Sequence, residues 1–228
     1  MKVAFRVDAS MRIGTGHVVR CMNLAKVLRG RGADTVFICR EHEGHMGAAL
    51  EHESLAVRVL PAPPWQPADS SEDYAEWLGV PVAQDARETI AALPGGVDWI
   101  VMDHYGLDAG WQAAVRAQAA RVLAIDDLPA RLHDCDLLLD QGVLDPGGGD
   151  HAARAPGAQL LLGPRYALLR GEYALYRAAL VPGAPRAGVL VFFGGTDPGD
   201  LTGLALAALS LPSAAHLPVT VVLGPNYP

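Results

Sequence analysis

A glycine loop at residues 8–17 (DASMRIGTGH) joins the first apolar run to a segment with helical spacing. Gly14 and Gly16 let the backbone approach a ligand closely. His17 begins the helix, where free N–H groups and the helix dipole favour anions. Histidine is a poor N-cap but a good proton acceptor near neutral pH. The pattern therefore predicts a general base at His17. If His17 only caps the helix, the alternatives for the base include Asp8.

A second glycine loop, at residues 193–201 (FGGTDPGDL), also follows an apolar run and precedes a helical segment. Its backbone N–H groups and a threonine hydroxyl are suited to phosphate oxygens. The lysine of a P-loop is absent, which excludes that type of nucleotide triphosphate hydrolysis. A plain helix start capped by Asp200 is the alternative. We expect this loop to bind substrate through Gly194, Gly195, Thr196 and Asp197.

Two further strand ends carry polar side chains. In residues 101–108 (VMDHYGLD), Asp103 and His104 lie where they can supply polar groups to a binding cleft. Both are also alternatives for the general base if His17 is not the base. Residues 125–127 (IDD) could hold a metal or cap a turn, and adjacent side chains on a strand point to opposite faces, which favours the structural role. No cluster has metal-ligand spacing, and EHEGH at 41–45 lacks the HExxH order. We therefore predict no metal and no cofactor.

Apolar runs alternate with segments of helical spacing along most of the chain. Strands are predicted at 2–7, 35–39, 56–60, 99–102, 121–125, 136–139, 189–193 and 219–223. Helices are predicted at 17–31, 46–52, 86–93, 172–180 and 201–209. Runs that are apolar on both faces and separated by helices predict an α/β fold with a buried, Rossmann-like parallel sheet.

The alternation of strands and helices breaks at PGAP, residues 182–185, and then restarts. This predicts an N-terminal domain over 1–150 with the catalytic loop and a linking segment over 151–185. The start of a nucleotide-binding domain is predicted over 186–228. Two strands are too few for an independent core, so we expect the second domain to be incomplete.

Composition limits the partners. The 228 residues are 50% hydrophobic and 19% charged, with a formal net charge of −7. A negative chain without basic blocks is a poor binder of nucleic acid. The start of the chain does not resemble a signal peptide, and no apolar run is long enough to span a bilayer. Three scattered cysteines suit buried free thiols, so a cytoplasmic protein without membrane or nucleic-acid partners is predicted.

Several strings resemble the motifs of one enzyme family, and they cover nearly the whole chain. They are RVDASMRIGTGHVVR, VMDHYGLD, IDDLPARLHDCDLLLDQ, GPRYALLRGE and FGGTDPGDLT. The chain resembles the UDP-2,4-diacetamido-2,4,6-trideoxy-β-L-altropyranose hydrolases of pseudaminic acid biosynthesis. This family is similar in fold to the lipid-linked N-acetylglucosaminyltransferase of peptidoglycan synthesis. The resemblance implies a GT-B arrangement of two Rossmann-like domains facing across a cleft.

The resemblance also implies an activity. The implied reaction is the removal of UDP from an activated amino sugar by water. It would proceed with inversion and without a metal, and His17 would be the catalytic base. Tyr105 matches a tyrosine close to the substrate. The residues predicted to bind substrate are Asp8, Gly14, Gly16, Tyr105, Gly194, Gly195, Thr196 and Asp197. A UDP-sugar-dependent glycosyltransferase and an inactive nucleotide-sugar-binding module are the alternatives.

Overall fold

The computed structural model describes residues 1–64, 73–128, 131–142, 150–181, 183, 188–195, 197, 199–224 and 227. The chain divides into two compact units, Met1–Leu169 and Arg170–Pro228. Each unit is described by itself below.

A seven-stranded sheet forms the first unit, with the order β3-β2-β1-β4-β5-β6-β7. Every neighbouring pair is parallel. The strands are β1 (Lys2–Val7), β2 (Asp34–Arg40), β3 (Ala56–Leu60), β4 (Val97–Asp103), β5 (Ala119–Ile125), β6 (Leu137–Asp140) and β7 (Gln159–Leu162). The predicted fold class, an α/β Rossmann-like parallel sheet, is confirmed.

Helices cover both faces of this sheet, so side chains that alternate along one strand enter two different cores. On β1, Phe5 packs in one core with Cys21, whereas Ala4 packs in the other with Trp111. The helices of this unit are α1 (Gly16–Gly30), α2 (Gly47–His52), α3 (Val82–Ala91), α4 (Ala109–Val115) and α5 (His151–Arg154), with 3-10 helices at Tyr74–Leu78 and Pro164–Tyr166.

The first unit is longer than the predicted N-terminal domain of 1–150. Residues 159–162, expected in a linking segment, form β7 and pair in parallel with β6 from Leu137↔Gln159 to Asp140↔Leu162. The division therefore lies after Leu169 rather than at 150. Gln159 and the three leucines after it extend the sheet because they satisfy the backbone groups of β6. So short a run gives little signal in the sequence.

The second unit contains α6 (Glu172–Ala179), β8 (Val189–Val191), α7 (Leu201–Leu209) and β9 (Val219–Val221). β8 and β9 pair in parallel as a two-stranded sheet. Several large apolar side chains remain exposed, including Leu190 at 69% and Leu204 at 68%. None of the helices in the described ranges has the length and apolar character needed to cross a bilayer.

Candidate active site

The candidate site lies where the order of the strands reverses. β1 pairs with β2 on one side and with β4 on the other, and Val7 is the partner of Asp103 at the carboxyl ends of β1 and β4. Parallel sheets bind their ligands outside such carboxyl ends, at the switch point. The loop before α1 and the loop before α4 both begin there. The predicted residues His17 and Tyr105 therefore come from neighbouring loops.

His17, in the first turn of α1, contacts a buried carboxylate. Its Nδ1 lies 2.6 Å from Asp103 Oδ1, and its side chain is 11% exposed against 0% for Asp103. Arg20, one turn along α1, donates from Nε to Asp103 Oδ2 at 2.6 Å and from Nη2 to Oδ1 at 2.5 Å. Cys21 Sγ lies 3.4 Å from the same Oδ2. His17 and Asp103 were predicted separately, and the structure joins them in one hydrogen bond.

The charge state of Asp103 determines which nitrogen of His17 is free. Burial alone would raise the pKa of Asp103, but hydrogen bonds from Arg20 and His17 outweigh it and lower that pKa below its ordinary value. An ionised carboxylate only accepts hydrogen bonds, so Nδ1 of His17 carries the proton and donates it. In the neutral form of the ring Nε2 is then the nitrogen without a proton, and it has no hydrogen-bond partner within the described part of the chain. His17 is thus oriented to accept a proton at Nε2.

Tyr105 lies next to this pair, and its ring contacts His17 edge-on with centroids 4.9 Å apart. Its hydroxyl donates to Asp127 Oδ1 at 2.6 Å. Burial and this hydrogen bond raise the pKa of Tyr105, so the phenol stays protonated. Tyr74 and Trp77, from the first 3-10 helix, lie 5.0 and 5.9 Å from the Tyr105 ring. The site thus has an aromatic side as well as a polar one.

Asp8 does not fit its predicted role in binding substrate. It is fully buried, its Oδ1 accepts from Arg6 Nη1 at 2.6 Å and from the Arg40 backbone N–H at 2.7 Å, and its Oδ2 faces His42 and His104. On β1 and just beyond it, alternate side chains point to one face, so Asp8 follows Arg6 inward. Its function is to balance a buried arginine.

That arginine belongs to a buried ionic network on the α3 side of the sheet. Asp85 of α3 accepts from Arg6 Nε at 3.0 Å, from Arg40 Nη2 at 2.8 Å and from Trp111 Nε1 at 3.0 Å. Both arginines and Asp85 are fully buried. The network joins β1, β2, α3 and α4 beneath the candidate site.

The glycines of the first loop leave room above the base. Gly14 has φ +74°, which favours glycine, and its N–H donates to Ser10 O at 2.9 Å. A Cβ at Gly14 or Gly16 would meet no other atom within 4 Å. Thr15, at the N-cap of α1, makes no side-chain hydrogen bond to the first turn. The start of α1 therefore keeps its backbone donors for another partner.

The second glycine loop follows β8 and is organised differently from the prediction. Asp197 accepts from Leu201 N and Thr202 N, each at 2.9 Å, and Asp200 accepts from Gly203 N at 3.0 Å. Two carboxylates thus occupy the donors that begin α7, so the predicted contact of Asp197 with substrate is replaced by helix capping. Gly194, with φ +88°, and Gly195 lie before them. Thr196 lies outside the described residues.

The remaining polar motifs have structural roles. Asp126 turns inward, where Arg131 Nη1 lies 2.9 Å and His133 Nε2 3.0 Å from its Oδ2, while Asp127 turns outward to Tyr105. The two carboxylates point apart, as the structural interpretation predicts. Within the described ranges, no group of three or more His, Cys, Asp or Glu side chains is arranged to hold a metal ion. A cavity of about 650 Å³ lies at the opposite, amino-terminal edge of the sheet, beside Lys2 and Gly96.

Three residues of the site were not predicted: Arg20, Tyr74 and Trp77. Arg20 follows His17 by three positions, which places both on one helical face, so helical spacing alone could have linked them. The 3-10 helix has weaker signals, an Asp73 cap that accepts from Ala75 N at 2.9 Å and a stop at Gly79 with φ +66°. Nothing in the sequence indicates that its rings reach Tyr105.

Comparisons with known proteins agree with the resemblance of the motifs, although no family model matches the chain. The chain is 27% identical over 225 residues to the UDP-2,4-diacetamido-2,4,6-trideoxy-β-L-altropyranose hydrolase of Campylobacter jejuni, covering 98% of this chain and 68% of that protein. It is 21% identical over 232 residues to the uncharacterized protein MJ1062 of Methanocaldococcus jannaschii, spanning 43% of it.

Two solved structures share the fold at 12% sequence identity. MurG of Acinetobacter baumannii gives a TM-score of 0.54, with 97% of this chain and 59% of that chain covered. Arabidopsis thaliana UGT89C1, complexed with UDP, gives 0.58, with 99% and 71% covered. These likenesses place the fold beside GT-B glycosyltransferases. The resemblance predicted from the motifs is confirmed: over 98% of its length this chain is similar to a UDP-sugar hydrolase.

Proposed function

We propose that this chain processes a UDP-sugar, and specifically that it hydrolyses UDP-2,4-diacetamido-2,4,6-trideoxy-β-L-altropyranose. The observation that carries the proposal is the hydrogen bond of His17 to buried Asp103 at the switch point of the sheet. The similarity to the Campylobacter jejuni hydrolase supplies the substrate. The pair supplies a general base, the group that attack by water on a sugar requires.

In the proposed reaction, water attacks the anomeric carbon on the face opposite the diphosphate. The new bond joins the water oxygen to that carbon, and the bond from the carbon to the diphosphate oxygen breaks. His17 Nε2 takes the water proton, and Asp103 stabilises the imidazolium that forms. UDP departs with the bonding electron pair, and the free sugar has inverted configuration. UDP is a good leaving group, so one base suffices where inverting glycosidases use two carboxylates.

The diphosphate needs donors for its charge. We propose that the uncapped first turn of α1 and the Gly14–Gly16 loop face the reacting end of the substrate. For the second unit taken by itself, we propose that the Gly194 and Gly195 N–H groups bind phosphate oxygens. Asp197 and Asp200 already occupy the N-terminus of α7, so in this unit donors from the loop, rather than the helix end, would carry the interaction.

The test is a product assay on the protein at its natural length, with EDTA and without an acceptor. We expect UDP and free sugar in equal amounts. His17→Gln should lower turnover by about two orders of magnitude or more, the usual contribution of a positioned base, with little change in UDP affinity. His52→Gln, at an exposed position of α2, is the matched control. Wild-type turnover in His17→Gln, or UDP binding without any turnover in the wild type, would contradict the proposal.

A glycosyltransferase is the second candidate, and the likeness to GT-B glycosyltransferases favours it. An acceptor hydroxyl would then replace water, and Nε2 of His17 would take its proton in the same way. The product assay separates the two functions. Release of UDP that depends on an added sugar or lipid acceptor would indicate transfer, and release without acceptor would indicate hydrolysis.

A further inference from the structure

Three aromatic side chains stand together beside the candidate base, and we call Tyr74, Trp77 and Tyr105 the aromatic wall. The Tyr74 ring contacts Trp77 edge-on at 4.8 Å and Tyr105 at 5.0 Å, and Tyr105 contacts His17 at 4.9 Å. The rings therefore extend continuously from His17 to Tyr74, which is 37% exposed.

Close packing fixes the aromatic wall in place. Leu78, at the end of the 3-10 helix, is fully buried. Gly106 lies directly beneath this helix, because a Cβ there would come within 2.8 Å of the Tyr74 carbonyl oxygen and 2.9 Å of Leu78 Cγ. Gly106 follows Tyr105 in the chain. The helix with two rings is thus packed tightly against the loop with the third.

The surface that the aromatic wall offers is mainly carbon. The Trp77 Nε1 atom is buried, which turns the polar edge of the indole away from solvent. The Tyr105 hydroxyl is already bonded to Asp127. Aromatic faces bind C–H groups well, whereas a sugar hydroxyl pressed against them loses its hydrogen bond to water.

We propose that Tyr74 and Trp77 bind the apolar face of the sugar and select deoxygenated, acetamido-bearing sugars over fully hydroxylated hexoses. This inference rests on the proposed function, which places the sugar at His17. The uracil ring is a less suitable occupant, because ribose and the diphosphate separate it from the anomeric carbon that His17 must serve. Methyl groups at a deoxygenated carbon and on the acetamido groups would contact the rings.

Binding measurements in the His17→Gln background, which slows turnover, test this inference. The ligands are UDP-2,4-diacetamido-2,4,6-trideoxy-β-L-altropyranose, UDP-glucose and UDP. We expect Tyr74→Ala and Trp77→Leu each to weaken the first ligand by about tenfold and to leave UDP within about twofold, since each removes one ring contact. Tyr74→Phe should retain the affinity. Tyr173→Ala, at a side chain of α6 that is 58% exposed, is the matched control.

Unchanged affinity for the diacetamido sugar in folded Tyr74→Ala and Trp77→Leu would overturn the inference. An equal loss for UDP would overturn it as well and would assign the rings to uracil. Both results leave the proposed function intact, because wild-type hydrolysis is measured separately. Failure of the wild type to bind or hydrolyse any UDP-sugar would instead overturn the proposed function.

Discussion

At the residue scale, the candidate base depends on a neighbour that is distant in sequence. Asp103 is fully buried, and Arg20 and His17 share its two oxygens. Arg20 keeps the carboxylate ionised, and the carboxylate holds the imidazole in one tautomer. An isolated histidine at a helix start could rotate or change tautomer, whereas this positioning holds the ring in the orientation that the proposed reaction requires.

We predict that Asp103→Asn lowers turnover by about a hundredfold or more at neutral pH, with a smaller change in UDP affinity. The amide cannot stabilise the imidazolium, and it permits the tautomer with the proton on Nε2. The pH–rate profile should therefore change shape, which mere loosening of the fold would not cause. Asp98→Asn, at an exposed position at the other end of β4, is the control. A proportional loss at every pH would contradict the positioning role.

Sequence reasoning at this scale predicted His17, Asp103 and Tyr105, and the structure brings these side chains together. It also predicted substrate contacts for Asp8 and Asp197, whose carboxylates accept hydrogen bonds from other groups of the chain. All of these residues lie in polar motifs beside glycines or strand ends, so residue type alone does not separate them. Asp8 follows Arg6 on one face of β1, and Asp197 caps the helix that begins just after it. The role of each carboxylate depends on which groups contact it in the folded chain, and the sequence does not show those contacts.

At the element scale, α3 is attached to the sheet by charge as well as by apolar contact. Asp85 lies between Arg6 and Arg40, and all three side chains are fully buried. Removing one member of such a group leaves the others charged in a medium that solvates them poorly. The position of α3 therefore depends on a carboxylate that no solvent reaches.

Asp85→Ala is expected to lower the free energy of unfolding of the first unit by about 3–5 kcal/mol. The surface pair Lys26–Glu53, with both side chains 44% exposed, provides the comparison, and Glu53→Ala should cost less than about 1 kcal/mol. Urea unfolding followed by circular dichroism measures both variants. Equal, small losses for the two would show that the buried network adds no stability.

Most elements were predictable because their periodicity is strong. The observed bounds of β1, β3 and α7 coincide with the predicted ranges, and other ends differ by a few residues. The elements missing from the predicted ranges include β7, α5 and the two 3-10 helices. The four residues of β7 and the five of the first 3-10 helix are too few to show a period. Their stability comes from pairing with β6 and from packing on Gly106.

At the scale of the whole molecule, buried titratable groups make stability depend on pH. His104 is buried, and its Nδ1 accepts from Gly106 N at 2.9 Å, which leaves its proton on Nε2 toward Asp8. Burial lowers the pKa of His104 from 6.5 to about 3. At pH values below the ordinary pKa of histidine, His104 binds a proton in the unfolded chain but not in the folded chain, so acid favours unfolding.

The free energy of unfolding should therefore be fully retained above about pH 6.5. It should fall by up to about 1.4 kcal/mol per pH unit between there and pH 3 from His104 alone. Chemical unfolding at pH 5 and pH 7 measures the difference. In His104→Gln the difference should shrink, because the glutamine oxygen can accept the Gly106 N–H and does not titrate. If the free energies of unfolding at pH 5 and pH 7 differ as much in His104→Gln as in the wild type, groups other than His104 cause the acid sensitivity.

The base and its orienting carboxylate are 86 positions apart in the chain, yet hydrogen-bonded strands fix their separation. The chain between them, which includes β2, β3 and α3, begins after β1 and ends in β4, the strand beside β1. Loops that do not border β1 or β4 can therefore change in length without moving His17 or Asp103. Under the proposed function, substitutions of the Tyr74 and Trp77 rings would change the sugar contacts and leave the contact of His17 with Asp103 in place.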